Sequence, residues 1–435
     1  MATSSIDVRA EREPWTHVHT WMMVAFMVGA LLESYIYSMS AVATGWVVMP
    51  KILTSLMLAW SPAWLIIGIA VAGPLSDRIG RRRVFFGTMS LYGIGAIILV
   101  LSHNYVPLLV ALAILLFAAG GELNTIMVTA QEMLPKQYRT TGYYFIITAI
   151  SIGTVVLGAV GFSAGYQHAA FQRTLVALTL LGVVAILLIA RLQIPESYRW
   201  LDRTGRKDEA REAAKALRTE NRLPDAPVLP PGVSALARST GFRVYITSSL
   251  AFANTVGYGL LGFAIGPYYF PHLTSWILFV SGVGGLVGGA AVAVLGNRWG
   301  RKSMLLWSTT ITFGVTVIIG LTLHAWVHSL FLLWVFVAAL NLFGGAQYVG
   351  EDCLKSEIWP TMRRGTLTAT ARFISIGLLI PILFWTAHFS MTAYIVFNAF
   401  VWFVGAVAAV LWYVFGYETG SGVSIDVASQ EAAPS

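Results

Sequence analysis

Gly73-Pro74-Leu75-Ser76-Asp77-Arg78-Ile79-Gly80-Arg81-Arg82-Arg83 lies between two apolar runs, near 55–75 and 84–101, of this 435-residue chain. The spacing predicts a tight polar loop joining two membrane helices. Gly73 and Gly80 permit close backbone approach or a turn. Asp77 can cap the following helix and accept charge-assisted bonds from the guanidinium groups of Arg78, Arg81 or Arg82. So dense a cluster of arginine holds its loop on the cytoplasmic side of a membrane.

The pattern returns about 220 residues later as Ala293-Val294-Leu295-Gly296-Asn297-Arg298-Trp299-Gly300-Arg301-Lys302. Asn297 takes the place of Asp77, keeping a capping oxygen without the charge. A second pattern repeats at nearly the same offset. Glu132-Met133-Leu134-Pro135 leads to Arg139, and Glu357-Ile358-Trp359-Pro360 leads to Arg363 and Arg364. Two local patterns recurring at one spacing indicate a duplicated bundle. The first stretch resembles the signature loop between the second and third helices of the major facilitator superfamily. That resemblance implies twelve transmembrane helices in two six-helix bundles arranged as a parallel repeat.

Composition agrees, since 57% hydrophobic and 11% charged residues are too apolar for a soluble chain of this length. Runs able to span a bilayer, about 20 residues each, are read near 18–42, 55–75, 84–101, 106–130, 142–165, 173–192, 244–270, 274–296, 304–323, 329–352, 367–388 and 391–415. The expected fold is therefore an all-α integral membrane protein. It divides into a bundle over 1–192, a linker with an amphipathic helix over 193–243, a second bundle over 244–416 and a tail over 417–435. Lys51 and Arg173 fall in loops on one side and Arg372 inside a helix, while the other Lys and Arg fall on the opposite side. Both termini are thus expected in the cytoplasm of a cell membrane, plasma or inner. The net charge of +8 reflects this topology and attraction to anionic lipid, with no nucleic-acid partner. A single cysteine, Cys353, excludes a disulfide within the chain. No metal-ligand spacing, nucleophile–base set or nucleotide-binding loop occurs, so neither an enzyme nor an ATP-driven pump is expected.

Ionisable groups inside spans mark function by default. Glu33 lies near the middle of the first span, with Tyr37 one turn on, and either loads protons or ties helices together. Glu122, after Gly120-Gly121 in the fourth span, is the second buried acid of this half. The string from Gly120 through Gln131-Glu132 to Arg139 resembles the sugar-porter and metabolite-porter branches, which include aromatic-acid:proton symporters and synaptic-vesicle-like proteins. Glu33 matches an acid of their first span that is usually Asp, and the arginine common in the fourth span of sugar porters is missing. Pro195-Glu196-Ser197-Tyr198-Arg199-Trp200-Leu201 resembles the Pro-Glu-Ser-Pro-Arg-Trp-Leu box of the sugar porters, and Tyr417-Glu418-Thr419-Gly420 its Pro-Glu-Thr counterpart. Glu196 and Glu418 can pair with arginines of the loops, among them Arg78, Arg81, Arg82, Arg139, Arg301, Arg363 and Arg364. Such a network would latch the two bundles together and part when the protein opens inward.

In the second half the seventh span offers Asn254 and Tyr258, the tenth Gln347 and Tyr348, and the eleventh Arg372. An arginine at that place resembles one in the aromatic-acid:proton symporters. It either holds a substrate carboxylate bidentately or snorkels to the surface. The leading expectation is a proton-coupled symporter for an organic acid. It would act by alternating access as a monomer, with the proton gradient as its energy source and no cofactor. Substrate would sit among Glu33, Tyr37, Glu122, Asn254, Tyr258, Gln347, Tyr348 and Arg372, with the proton on Glu33 or Glu122. Uptake of a sugar or polyol is the alternative. Proton-linked export of a drug or cation ranks below it, and a transporter-like sensor is the reading from another class.

Overall fold

The computed structural model describes residues 14–47, 51–163, 168–217, 234–359 and 364–419. The first bundle comprises α1 (His17–Ala43), α2 (Lys51–Ile79), α3 (Arg81–Leu101), α4 (Tyr105–Met133), α5 (Lys136–Ser163) and α6 (Ala169–Leu192). Short helices follow: α7 (Tyr198–Arg203), α8 (Lys207–Leu217) and α9 (Ala235–Arg238). The seventh span runs through α10 (Thr240–Tyr258), a π-helical turn at Gly259–Ala264 and α11 (Ile265–Tyr269). Next come α12 (Thr274–Trp299), α13 (Arg301–Leu321), the single turn α14 (Leu323–Trp326), α15 (Leu330–Glu357), α16 (Arg364–Thr386) and α17 (Met391–Phe415). Twelve of the described helical segments are long and apolar enough to cross a membrane. The all-α, twelve-span architecture is as the sequence implied.

Helix ends follow their capping residues. Asn104 starts α4 by accepting from Val106 N at 3.1 Å, and Ser390 starts α17 by accepting from Ala393 N at 3.3 Å. Between such ends burial sorts the helices. Met22, Ala25, Phe26, Ala30, Leu32 and Ile36 of α1 are fully buried, whereas α6 exposes Leu178, Ile186, Leu188, Ile189 and Leu192. An apolar exterior of that kind suits hydrocarbon as the surrounding medium.

The polar loop expected over 73–83 is almost entirely helical. α2 continues to Ile79 and α3 begins at Arg81, leaving Gly80 alone as the connection. Gly80 adopts φ +98°, which only glycine reaches without strain, and so reverses the chain in one residue. Gly300, at φ +72°, does the same between α12 and α13. The remaining motif residues stay helical because a single positive-φ residue is enough to turn the chain.

The bundles meet along α5 and α12, where glycines of α12 face small residues of α5. A Cβ on Gly285 would stand 2.8 Å from Ser151 Oγ, and one on Gly289 would stand 2.7 Å from Thr148 Oγ1. At the end of this seam away from the termini, Phe162 stacks on Trp276 at 3.9 Å, and Tyr268 reaches Ser55 of α2 at 3.4 Å. At the termini end Tyr143 of α5 donates to Asp352 of α15 at 3.2 Å, and Arg301 bonds Tyr144. The two bundles thus touch at both ends of the seam.

Candidate functional site

Between the bundles lies a cavity of about 170 Å³. From the first bundle α1 contributes Glu33, Ser34, Tyr37 and Ser38, and α5 contributes Ser151 and Thr154. The second bundle answers with Asn254, Thr255 and Tyr258 of α10, Ser281 of α12, and Asn341 and Tyr348 of α15. Glu33 is the one carboxylate among the lining residues described, and no Lys, Arg or His lines the space. The rest of its polarity is hydroxyl and amide. Tyr258 interacts with Ser38 and Thr154 across the interface, and Tyr37 packs on Phe263 of the π turn at 5.1 Å.

Of the residues expected to bind substrate, the structure brings Glu33, Tyr37, Asn254, Tyr258 and Tyr348 together here. Gln347 stands behind them: it accepts from Asn254 Nδ2 at 2.7 Å and donates to the Leu250 carbonyl at 3.3 Å. Ser38, Thr154, Ser281, Asn341 and Trp402 also line the cavity and were not among the expected binding residues. Single small polar residues in apolar spans carry little signal, because the same residues back-bond to helix carbonyls or pack helices.

Glu122 and Arg372 do not line the cavity. Glu122 is fully buried inside the first bundle, where Arg191 Nη2 of α6 reaches its Oε1 at 2.6 Å and Thr88 donates to its Oε2. Arg191 lies over the Phe85 ring at 3.4 Å, so the ion pair is walled by aromatic carbon. Arg372 Nη2 binds Asp352 Oδ1 at 2.8 Å and Oδ2 at 3.1 Å. Lys355 Nζ also reaches Asp352 and Glu351, each at 2.8 Å. Arg372 therefore neither snorkels nor presents a free fork to a substrate. Buried charge is costly unless paired, and internal acids have taken both arginines.

The two glutamates of the repeated boxes have a role that the sequence reading did not include. Glu196 accepts from Arg81 N at 3.0 Å and Arg82 N at 3.1 Å, clasping the first turn of α3. Glu418 accepts from Arg301 N at 2.6 Å and Lys302 N at 3.2 Å, clasping α13 in the same way. Both carboxylates cap a helix of their own bundle, where free N–H groups and the positive end of the helix dipole favour an anion. A Cβ on Gly80 or Gly300 would press on the Glu196 or Glu418 carboxylate, which gives each glycine a second reason. Beside Glu418, burial pushes the Tyr417 hydroxyl up to about 12, although Arg243 lies over its ring at 5.6 Å.

Among the described residues, contacts between bundles on this face include Tyr143 with Asp352 and Tyr144 with Arg301, whose Nη2 also holds Glu357 Oε1 at 2.8 Å. Arg81 is buried and donates to the Ser76 carbonyl at 3.0 Å, while Arg78 and Arg82 are exposed and Arg139 is half-buried. Gly73 faces Asn124 of α4, where a Cβ would stand 3.5 Å from its side-chain nitrogen. The side chains of Asp77, Glu132, Arg199, Asn297, Arg298 and Arg364, and the whole of Arg363, lie outside the described residues.

Comparison with known proteins agrees with this architecture. The family described as "Sugar (and other) transporter" matches residues 17–230. The chain is 27% identical over 353 residues to the probable metabolite transport protein CsbC of Bacillus subtilis, covering 73% of this chain and 74% of that protein. It is 32% identical over 150 residues to the glucose transporter GlcP of Staphylococcus epidermidis, a match spanning 34% of this chain and only 33% of that protein. Among solved structures, the inward-open xylose transporter XylE from E. coli superposes with a TM-score of 0.69 at 18% identity, covering 95% of this chain and 99% of that one. Fold and repeat are those of a multi-pass membrane protein with the major facilitator fold. Within that fold, the match to the sugar-transporter family falls on the first half of the chain, residues 17–230.

Proposed function

We propose that this protein is a proton-coupled secondary transporter that takes up a small, neutral, polyhydroxylated molecule, a monosaccharide or polyol. The observation that carries the reading is the lining of the cavity. Among the described lining residues, hydroxyl and amide groups from five helices converge there with one carboxylate and no cation. Groups of that kind exchange hydrogen bonds with sugar hydroxyls, and each left unpaired in a dry site would cost binding energy. A carboxylate substrate would instead require a buried cation, and Arg372 is held by Asp352. The sugar reading therefore replaces the organic acid. A cavity of about 170 Å³ is below the range for drug-sized ligands and suits a single ring.

Glu33 carries the coupling proton in this scheme. It is buried, lines the cavity and has no ion-pair partner among the described residues. Protonation with substrate binding favours rocking of one bundle against the other, while a half-loaded carrier stays put. The termini face is taken as cytoplasmic. Relatives named as a glucose transporter and a proton:xylose symporter support both halves of the proposal. The test is uptake into proteoliposomes under an inward proton gradient, with hexoses, pentoses, polyols and aromatic acids side by side. Uphill accumulation of a sugar or polyol, collapsed by a protonophore, is expected; accumulation of acids alone would overturn the reading.

A further inference from the structure

The cavity has one wall that comes from a helix outside its ring. Trp402 belongs to α17, the twelfth span, which otherwise packs behind α10 and α13. Its indole nevertheless lines the cavity and is only 2% exposed. It gets there because two helices in front of it carry glycine at the crossing. A Cβ on Gly257 of α10 would collide with indole atoms Nε1 and Cε2, and one on Gly344 of α15 would stand 3.8 Å from Cη2. Both glycines leave a window that the long edge of the indole fills.

The ring is located by shape and not by its polar atom. Indole Nε1 is buried and meets no acceptor among the described residues. The helix behind it is fixed one and two turns earlier: Asn398 donates to the Gly257 carbonyl at 3.0 Å, and Tyr394 to the Leu260 carbonyl at 2.8 Å. The second of these acceptors lies in the π-helical turn of the seventh span. Tyr394, Asn398 and Trp402, spaced four apart, thus lie on one stripe of α17 directed at α10. Such a placement gives a rigid aromatic plate on the second-bundle side of the site.

We propose that Trp402 is a specificity-determining residue, the plate that limits how large a substituent the bound ring may carry. The proposal rests on the substrate class argued above. Trimming the plate should join the space it fills to the cavity and admit bulkier molecules.

The experiment compares D-glucose with N-acetyl-D-glucosamine in proteoliposome uptake by wild type, Trp402→Phe and Trp402→Ala. The ratio of kcat/KM for the bulky sugar to that for glucose should rise by about tenfold or more in Trp402→Ala, the scale on which a pocket reads a methylene or two, and less in Trp402→Phe. A uniform loss on both sugars, or an unchanged ratio, would overturn the wall. Trp402→Leu replaces Trp402→Ala if the smaller side chain does not fold.

A second measurement is independent of the transported substrate. In an Asn254→Cys, Cys353→Ser background, a large and a small methanethiosulfonate reagent compete for the cavity. Trp402→Ala should raise the large-to-small labelling ratio about tenfold, and no change would overturn the wall whatever the cargo. Failure of wild type to carry any sugar, with that ratio raised, would overturn the substrate class and leave the wall standing.

Discussion

Asn254 donates to Gln347 at 2.7 Å in the second bundle, at positions that the internal repeat relates to Glu33 and Glu122 of the first. The offsets are 221 and 225 residues, beside 220 for Gly80 with Gly300 and 225 for Glu132 with Glu357. One bundle therefore has acids where the other has the matching amides. At these matched positions the first half carries ionisable groups and the second neutral hydrogen-bonding ones. Glu33→Gln is expected to abolish accumulation against a gradient while leaving exchange intact, because it removes the titrating group and keeps the shape. Counterflow beside gradient-driven uptake checks this. Persistent uphill transport would remove Glu33 from the coupling role. Asn254→Ala should instead raise KM about tenfold, the loss of roughly one hydrogen bond to a neutral group, with the proton requirement unchanged.

Arg372 and Asp352 form a buried pair whose loss should be felt in stability before specificity. Asp352→Asn leaves Arg372 without its counter-charge while Lys355 keeps Glu351, and breaking such a pair costs about 3–5 kcal/mol. Thermal unfolding in detergent should show a marked drop. Uptake of acids and neutral sugars by the surviving protein should fall in parallel. A selective loss of acid uptake would return Arg372 to the substrate.

Glu122 with Arg191 makes the corresponding case in the first bundle. Glu122→Gln strands a guanidinium that is 2% exposed, so a loss of about 3–5 kcal/mol is expected again. Replacing both residues with apolar ones, Glu122→Leu with Arg191→Met, should recover much of it. Proton-driven accumulation by that folded double variant would show that coupling needs Glu33 alone, and its absence would bring Glu122 back into the proton path.

Gly80→Ala tests the one-residue turn. A positive φ costs a residue with a Cβ roughly 1–2 kcal/mol, and here the added carbon also meets the Glu196 carboxylate. The melting temperature should fall, and adding Glu196→Ala should relieve only the steric share. Sub-additive losses in this double-mutant cycle are the expected signature, whereas strict additivity would deny the contact.

The fold was legible because a membrane protein writes its architecture in long apolar runs and in the sidedness of arginine. The repeat of Gly80-Arg81 at Gly300-Arg301 then identified the two halves. Glu33 was legible too, since an acid at that depth needs a reason. What did not show was partnership. Nothing local tells that Arg191 belongs to Glu122, 69 residues earlier, or that Arg372 belongs to Asp352. Glu122 read as a proton or substrate site and Arg372 as a substrate clamp or a snorkelling charge, and each is paired from another helix. The boxes containing Glu196 and Glu418 were visible as motifs, but their capping role was not. A carboxylate near arginines suggests ion pairs with the side chains, and here it also binds backbone N–H groups of Arg81, Arg82, Arg301 and Lys302. Trp402 was hidden for a third reason: its access depends on glycines of two other helices.

Gly285 and Gly289 meet Ser151 and Thr148 across the seam between α5 and α12, so the bundles touch there through backbone and very short side chains. Short groups have few rotamers to lose or exchange as one surface travels over the other. Around Gly285 and Gly289 the seam is built as a plain bearing, without meshed teeth. Its friction, and with it the temperature dependence of turnover, should be low until bulk is introduced. Leu at position 285 would then convert a smooth displacement into one that must lift over a ridge.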